Sequence, residues 1–96
     1  MPMFVTTFKF SDQGAKNVKD TVKRSEAFKA AAKKMKAKIV DFFWTLGPSD
    51  GLVILEAPDE ETATALALQT GSLGNIHTQK ARAFRADEME KILKKF

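Results

Sequence analysis

The pattern of apolar and polar residues predicts four β-strands, one by alternation and the others as short segments rich in apolar, β-branched or aromatic residues. The clearest segment is F-V-T-T-F-K-F at residues 4–10, which is rich in aromatic and β-branched side chains. A period of two places Phe4, Thr6, Phe8 and Phe10 on one face of this strand. The other predicted strands are residues 37–46, 52–57 and 75–84.

Apolar residues that recur three and four positions apart predict the helices. Residues 15–35 form the longest such stretch, and Asp20-Thr21 predicts a break in it, because both residue types favour helix ends over interiors. The second helix is expected to begin after Asp59 and to end at the glycines of residues 71–74. Asp87 is the predicted cap of a short last helix at residues 88–96.

The order strand, helix, strand, strand, helix, strand specifies two split βαβ units. This is the arrangement of ferredoxin-like α+β domains, in which the sheet is antiparallel. Right-handed crossovers put both long helices on one face of that sheet, and the short last helix follows the fourth strand. With 96 residues, the chain is expected to form a single domain, residues 1–96.

The second predicted strand is unusual because it is apolar on both faces. Its sequence from residue 38 is K-I-V-D-F-F-W-T-L. Alternation would place Val40, Phe42, Trp44 and Leu46 on one face and Ile39, Asp41, Phe43 and Thr45 on the other. Strands of this kind are normally covered on both sides. We therefore expect the helix-free face of the sheet to pack against a second copy, as in dimeric α+β barrels.

Several blocks of the sequence resemble the GYD-domain family, in the same order and with the same spacing. They are F-V-T-T-F-K-F-S-D-Q-G at residues 4–14, A-F at 27–28, D-F-F-W-T-L-G at 41–47, V-I-L-E-A-P-D at 53–59, G-S-L-G-N at 71–75 and R-A-F at 82–84. The resemblance spans nearly the whole chain. It implies a small bacterial or archaeal protein with a ferredoxin-like fold, and it implies little about activity.

The turn between the second and third strands matches the family at Gly47 and Asp50 but departs from it at position 49. Where the family usually has a tyrosine before the aspartate, this chain has Ser49. An acid–base or stacking role of that phenol therefore has no counterpart here.

Charge is distributed unevenly, although the net charge is only +4. Residues 16–38 contain nine Lys or Arg and two acids, whereas residues 41–61 contain six acids and no Lys or Arg. Lysine-rich solvated helices account for this pattern, and an anionic partner is the alternative. The absence of cysteine fits a reducing compartment. With no membrane-length apolar run and no signal-peptide pattern, we expect a cytoplasmic protein.

Polar residues on the strands provide the candidate binding site. Asp41 lies mid-strand among apolar neighbours, where a carboxylate needs a partner or becomes neutral. Thr78, Lys80 and Arg82 share one face of the fourth strand, and a row of this kind can hold a carboxylate or phosphate. If Thr7, Asp41 and Arg82 share the helix-free face, they form the best polar cluster in the chain. The alternatives are an ion pair of Asp41 with a Lys or Arg of the same sheet or of an adjacent subunit, and a charged sheet edge that blocks strand pairing.

Nothing in the sequence indicates a metal site or a cofactor. His77 is the only histidine and has no cysteine to join it as a ligand, so a surface or interface position is the alternative to proton transfer. The glycine turns at residues 47–51 and 71–74 lack the spacing of phosphate-binding and dinucleotide-binding loops. The aromatic run at residues 42–44 is expected in the core and an interface, or as one wall of an apolar pocket between subunits.

The function hypothesis is a homo-oligomeric protein that binds a small, anionic molecule near the helix-free sheet face, with Thr7, Asp41, Thr78 and Arg82 as binding residues. A self-association or regulatory domain without catalysis is the alternative. Nucleic-acid binding is disfavoured because the third strand has no aromatic residue on which bases would stack. Whether the protein is an enzyme stays open, since a catalytic set would rest on Asp41, His77 and Arg82 alone.

Overall fold

Four antiparallel strands form one sheet in the order β2-β3-β1-β4, with helices packed against one of its faces. The structure is a computed structural model that describes residues 1–96. The strands are β1 (Met3–Phe10), β2 (Lys38–Trp44), β3 (Gly51–Glu56) and β4 (Ile76–Ala83). The helices are α1 (Asp12–Lys16), α2 (Thr21–Lys34), α3 (Glu60–Ser72) and α4 (Ala86–Leu93). This topology confirms the ferredoxin-like α+β fold.

The helix boundaries follow local capping chemistry, with one correction to the sequence predictions, at the start of the last helix. A single 3-10 turn, Val18–Asp20, separates α1 from α2, so the predicted break is confirmed. Asp59 accepts a hydrogen bond from the backbone N–H of Thr62 and caps α3, which ends at Ser72, between the two glycines predicted to end it. The last helix begins at Ala86, so Asp87 lies in its first turn and is not its cap.

The hydrophobic core lies between the sheet and the two long helices. Phe4 and Phe8 from β1 are 2% and 4% exposed. They pack in one cluster with Val53 and Leu55 of β3 and with small or apolar helix residues, namely Ala32, Ala63 and Leu66. The side of β1 that carries the phenylalanines therefore faces the helices, as the alternation predicts.

The register of the sheet divides the other strand residues between its two faces, because directly opposed residues of antiparallel strands share a face. A β-bulge between Ile39 and Asp41 interrupts the β2–β3 ladder. The extra residue changes the phase of β2. Ile39 therefore lies on the same face as Phe42, whereas Asp41 and Phe43 lie on the helix-free face. The strict alternation predicted for this strand is thus wrong at Ile39.

Candidate functional site

The structure separates the four predicted binding residues into two pairs on opposite faces of the sheet. Thr7 is opposite Leu52 and Gln79 on the helix-free face, which Asp41 shares. Thr78 is opposite Phe8 and Arg82 is opposite Phe4, so both lie on the helix-covered face. The predicted cluster of Thr7, Asp41 and Arg82 is therefore wrong, because the register of β4 puts its polar row in phase with the phenylalanines of β1.

Arg82 is occupied by contacts within its own chain. Its guanidinium lies 4.5 Å from the centre of the Phe84 ring and 5.8 Å from that of Phe4. It donates hydrogen bonds to the carbonyl oxygens of Met3 and Ala83, and its Nη2 is 3.4 Å from Glu88 Oε2. These contacts tie α4 to the edge of the sheet.

Glu88 and Arg85 extend the same network. The backbone N–H of Arg85 donates to Glu88 Oε1 at 3.0 Å, and this bond, helped by Arg82, holds the pKa of the Glu88 carboxyl below its usual value. Arg85 Nη2 lies 3.0 Å from Glu56 Oε1. Lys80 also has a structural partner, since its Nζ donates to Thr64 Oγ1 at 2.6 Å. The three cations at this edge of the sheet, Lys80, Arg82 and Arg85, therefore make contacts within the chain that stabilise the fold.

Two polar residues of the helix-free face, Asp41 and His77, are exposed. Asp41 forms no ion pair within the chain, so the alternative that it pairs with a Lys or Arg of its own sheet is not observed. His77 is exposed and lies opposite Lys9. No group of three or more His, Cys, Asp or Glu side chains comes together anywhere in the chain in a way that would hold a metal ion.

The turn matched by the family resemblance has a structural task. The Asp50 carboxylate accepts a hydrogen bond from the backbone N–H of Phe10 at 2.8 Å, and the Asp50 N–H donates to the carbonyl of Phe8 at 2.8 Å. Asp50 therefore joins the β2–β3 turn to the end of β1. Gly47 has a φ of +144°, a conformation that L side chains rarely adopt. Ser49 contributes its carbonyl oxygen, which accepts a hydrogen bond from Thr45 Oγ1.

Replacing Asp50 by alanine is expected to destabilise the fold by about 2 kcal/mol, because the half-buried Phe10 N–H loses a charged acceptor. Urea unfolding measures this change. Asp50→Asn is the matched control, since its amide oxygen still accepts the bond without the charge, and we expect a smaller loss. Equal stability of wild type and Asp50→Ala would contradict the structural role of this carboxylate.

A cavity of about 200 Å³ lies between α2, α3 and the helix-covered face of the sheet. Phe8, Phe42 and Leu66 provide apolar walls, and Thr78 is the one predicted binding residue that borders the cavity. The aromatic run is therefore split, with Phe42 in the wall of a pocket inside one subunit and Phe43 on the opposite face. The sequence did not predict an internal pocket, because it depends on how far apart the two helices lie.

Arg24 is the functional candidate that sequence reasoning missed. It borders the cavity from α2, and its Nη1 donates to the carbonyl oxygen of Asn17 at 2.8 Å. Its Nη2 is buried and has no hydrogen-bond partner. Phe28, Ala31 and Ala32 form the apolar stripe of α2 that faces the core. The sequence contains one signal for Arg24: it is four residues before Phe28, so it extends this stripe by one turn toward the N-terminus.

The sheet with its helices on one face defines a ferredoxin-like α+β domain. Comparison with known proteins shows to which family of such domains the chain belongs. The sequence matches the GYD domain over residues 4–93. The chain therefore belongs to the GYD-domain family. No curated protein matches it significantly.

The helices are too short or too polar to span a bilayer.

Two solved structures share the fold. TTHA0845 from Thermus thermophilus has a TM-score of 0.58 and 19% identity, over 90% of this chain and 96% of that chain. MtbAldR has a TM-score of 0.63 and 8% identity, over 88% of this chain and 53% of that chain. Identities at this level show a common fold and nothing about a common ligand.

Proposed function

We propose that this protein is a self-associating, small-molecule-binding domain in which the helix-free sheet faces of two copies pack together. The observation that carries this proposal is an uncovered apolar area at the centre of that face, which we call the sheet patch. The sheet patch consists of Val5, Phe43, Leu52, Ile54 and Ala81. Phe43 is 49% exposed, and the other four are half-buried or exposed.

The surroundings of the sheet patch favour a second copy as its occupant. An apolar centre inside a polar rim is the usual anatomy of a protein interface. The rim contains both signs of charge, with Lys9 and Lys38 as cations, Asp41 as an unpaired anion and Glu56 as an anion already paired with Arg85. Asp41 has no ionic partner in its own chain, and a second copy can supply one. Two such faces are therefore complementary to each other in apolar area and in charge.

A ligand held between the two sheets would contact Thr7 and Asp41, since Thr78 and Arg82 lie on the other face. The cations of the same face available to an anionic ligand there would be those of the rim, Lys9 and Lys38. In this arrangement association builds the site, so a monomer would not bind. A domain that associates without any ligand is the second candidate, and the sheet patch supports it equally.

The test is the effect of Ile54→Lys on the mass in solution, measured by light scattering after gel filtration. Wild type is expected at twice the 10.7 kDa of one chain. Because Ile54 is central in the sheet patch, an unpaired ammonium there should weaken association by about 3 kcal/mol, or roughly a hundredfold. Leu68→Lys is the matched control, because Leu68 is 69% exposed on α3, away from that face, and it should leave the dimer intact.

Circular dichroism shows whether each variant is folded. A wild-type protein that is a monomer at micromolar concentration would contradict the proposal. A dimer that persists in folded Ile54→Lys would place the interface elsewhere.

A further inference from the structure

We infer that the cavity between α2, α3 and the sheet binds a monocarboxylic acid with an apolar body, and that Arg24 holds its carboxylate. This site lies on the opposite side of the sheet from the sheet patch. It is therefore complete within one subunit, and the inference goes beyond the proposed association.

The cavity exists because small residues face each other where the two long helices run over the sheet. Ser25 and Ala27 border it from α2, and Ala63 and Ala67 border it from α3. Larger side chains at these positions would fill the space, as close-packed interiors normally do. Most of the remaining lining is hydrophobic. The cavity is thus suited to an apolar group, which it would remove from water.

Arg24 gives this apolar cavity a single cationic group with donor capacity to spare. Its Nη1 is bound to the Asn17 carbonyl, whereas its buried Nη2 has no partner. A buried donor without a partner is costly, and more so when it is charged. A carboxylate oxygen would provide that partner through a short, charge-assisted bond. The unpartnered Nη2 of Arg24 is therefore the feature that favours an acid over a neutral apolar ligand.

The surface beside Arg24 indicates where the carboxylate would lie. Arg24, Ala27 and Asn75 border both the cavity and a shallow polar depression, which Asn17, Asp20 and Lys23 complete. The charges of Asp20 and Lys23 offset one another, which leaves the guanidinium as the net positive charge at this boundary. One guanidinium suits a monoanion. The carboxylate would lie at Arg24, with the apolar body directed inward toward Phe42 and Leu66.

The volume limits the size of that body. A cavity of about 150 Å³ lined by Leu, Ile and Phe binds benzene. At about 200 Å³, the cavity has room for a phenyl ring and a short methylene chain. Phenylpropanoate is therefore a suitable probe, and phenylpropanol is its neutral match in size and shape.

The experiment titrates both probes into the wild-type protein by calorimetry and by fluorescence. Trp44, the single tryptophan, is a convenient reporter because its ring lies 4.8 Å from that of Phe42 in the cavity wall. We expect phenylpropanoate to bind at least about tenfold more tightly than phenylpropanol, the difference made by one charged hydrogen bond.

Three variants locate the site. Arg24→Met keeps the length of the side chain but removes the donors, and it should bring the acid down to the affinity of the alcohol. Lys33→Met is the matched control, since it removes the same charge from an exposed position of α2 outside the cavity, and should leave binding unchanged. Ala67→Phe fills the cavity from α3 and should abolish binding of both probes. Thermal unfolding confirms that each variant is folded.

Each outcome bears on the inference. Binding of the acid that is lost in Arg24→Met and Ala67→Phe but kept in Lys33→Met supports it. Equal affinity for acid and alcohol would refute the role of Arg24, and no binding of either probe would refute the cavity as a site. Unchanged affinity in folded Ala67→Phe would place the acid elsewhere. Folded, monomeric Ile54→Lys should still bind phenylpropanoate. The outcome of the binding experiment is therefore independent of the outcome of the dimer test.

Discussion

Gly14→Ala is expected to destabilise the protein by about 3 kcal/mol, a large effect for the addition of one methyl group. Gly14 is buried in α1, and a Cβ there would lie 1.9 Å from the carbonyl oxygen of Asn75. That oxygen belongs to the backbone, so no side chain can rotate away to make room. It also accepts a hydrogen bond from the N–H of Ser11 at 3.0 Å. The methyl group must therefore separate α1 from the α3–β4 connection and break this contact.

Separating α1 from the α3–β4 connection would also disturb two further hydrogen bonds. Ser11 Oγ donates to the carbonyl oxygen of Gly74 at 2.5 Å, and Gln13 Nε2 donates to that of Leu73 at 3.1 Å. These bonds hold the short helix α1 to the chain segment that leads into β4. Asn75 also borders the Arg24 cavity. We therefore expect weaker binding of phenylpropanoate by any Gly14→Ala protein that remains folded.

Gly71→Ala is the matched control, because it places the same methyl group on another helical glycine. No atom lies within 4 Å of a Cβ at Gly71, and alanine favours the helix by about 0.5–1 kcal/mol. Urea unfolding should thus show changes of opposite sign for the two variants. A loss below about 0.5 kcal/mol in Gly14→Ala would contradict the close approach of α1 to Asn75.

The fold was predictable from the sequence because turn and capping residues separate segments whose composition favours either a strand or a helix. The alternation at residues 4–10 correctly indicates which side of β1 enters the core, and the cap at Asp59 is observed. The face of Ile39 was not predictable, since a bulge adds one residue to β2 without a glycine or proline to indicate it. The order of helices and strands along the chain predicts the strand order of the sheet. A β-bulge depends instead on the fit between neighbouring strands.

The candidate site was harder to predict, for two physical reasons. Whether Asp41 and Arg82 share a face depends on the register between strands, and alternation within each strand does not contain that information. The composition of residues 16–38 groups Arg24 with the solvated cations of a lysine-rich helix. Its place one turn before Phe28 on the apolar stripe becomes meaningful only when the cavity beside it is known.

Leu66→Ala is expected to destabilise the protein by about 3–5 kcal/mol, the upper part of the range for buried leucines. Leu66 is 1% exposed, and it borders the cavity. Its removal therefore takes away contacts with the core and extends a space that is already open, so the cost of the empty volume is added to the loss of burial. Leu68→Ala is the matched control on the same helix, since Leu68 is 69% exposed and should change stability by less than about 0.5 kcal/mol.

The same variant distinguishes a binding cavity from a packing defect. If the cavity receives the apolar body of an acid, the larger space in Leu66→Ala should accept naphthylpropanoate, and saturating acid should recover part of the lost stability by mass action. The measurement is urea unfolding of wild type and Leu66→Ala with and without this acid. Recovery in Leu66→Ala that disappears when Arg24→Met is added would show that the carboxylate anchors the ligand. A loss of stability that no acid reverses would instead identify the space beside Leu66 as a defect in packing.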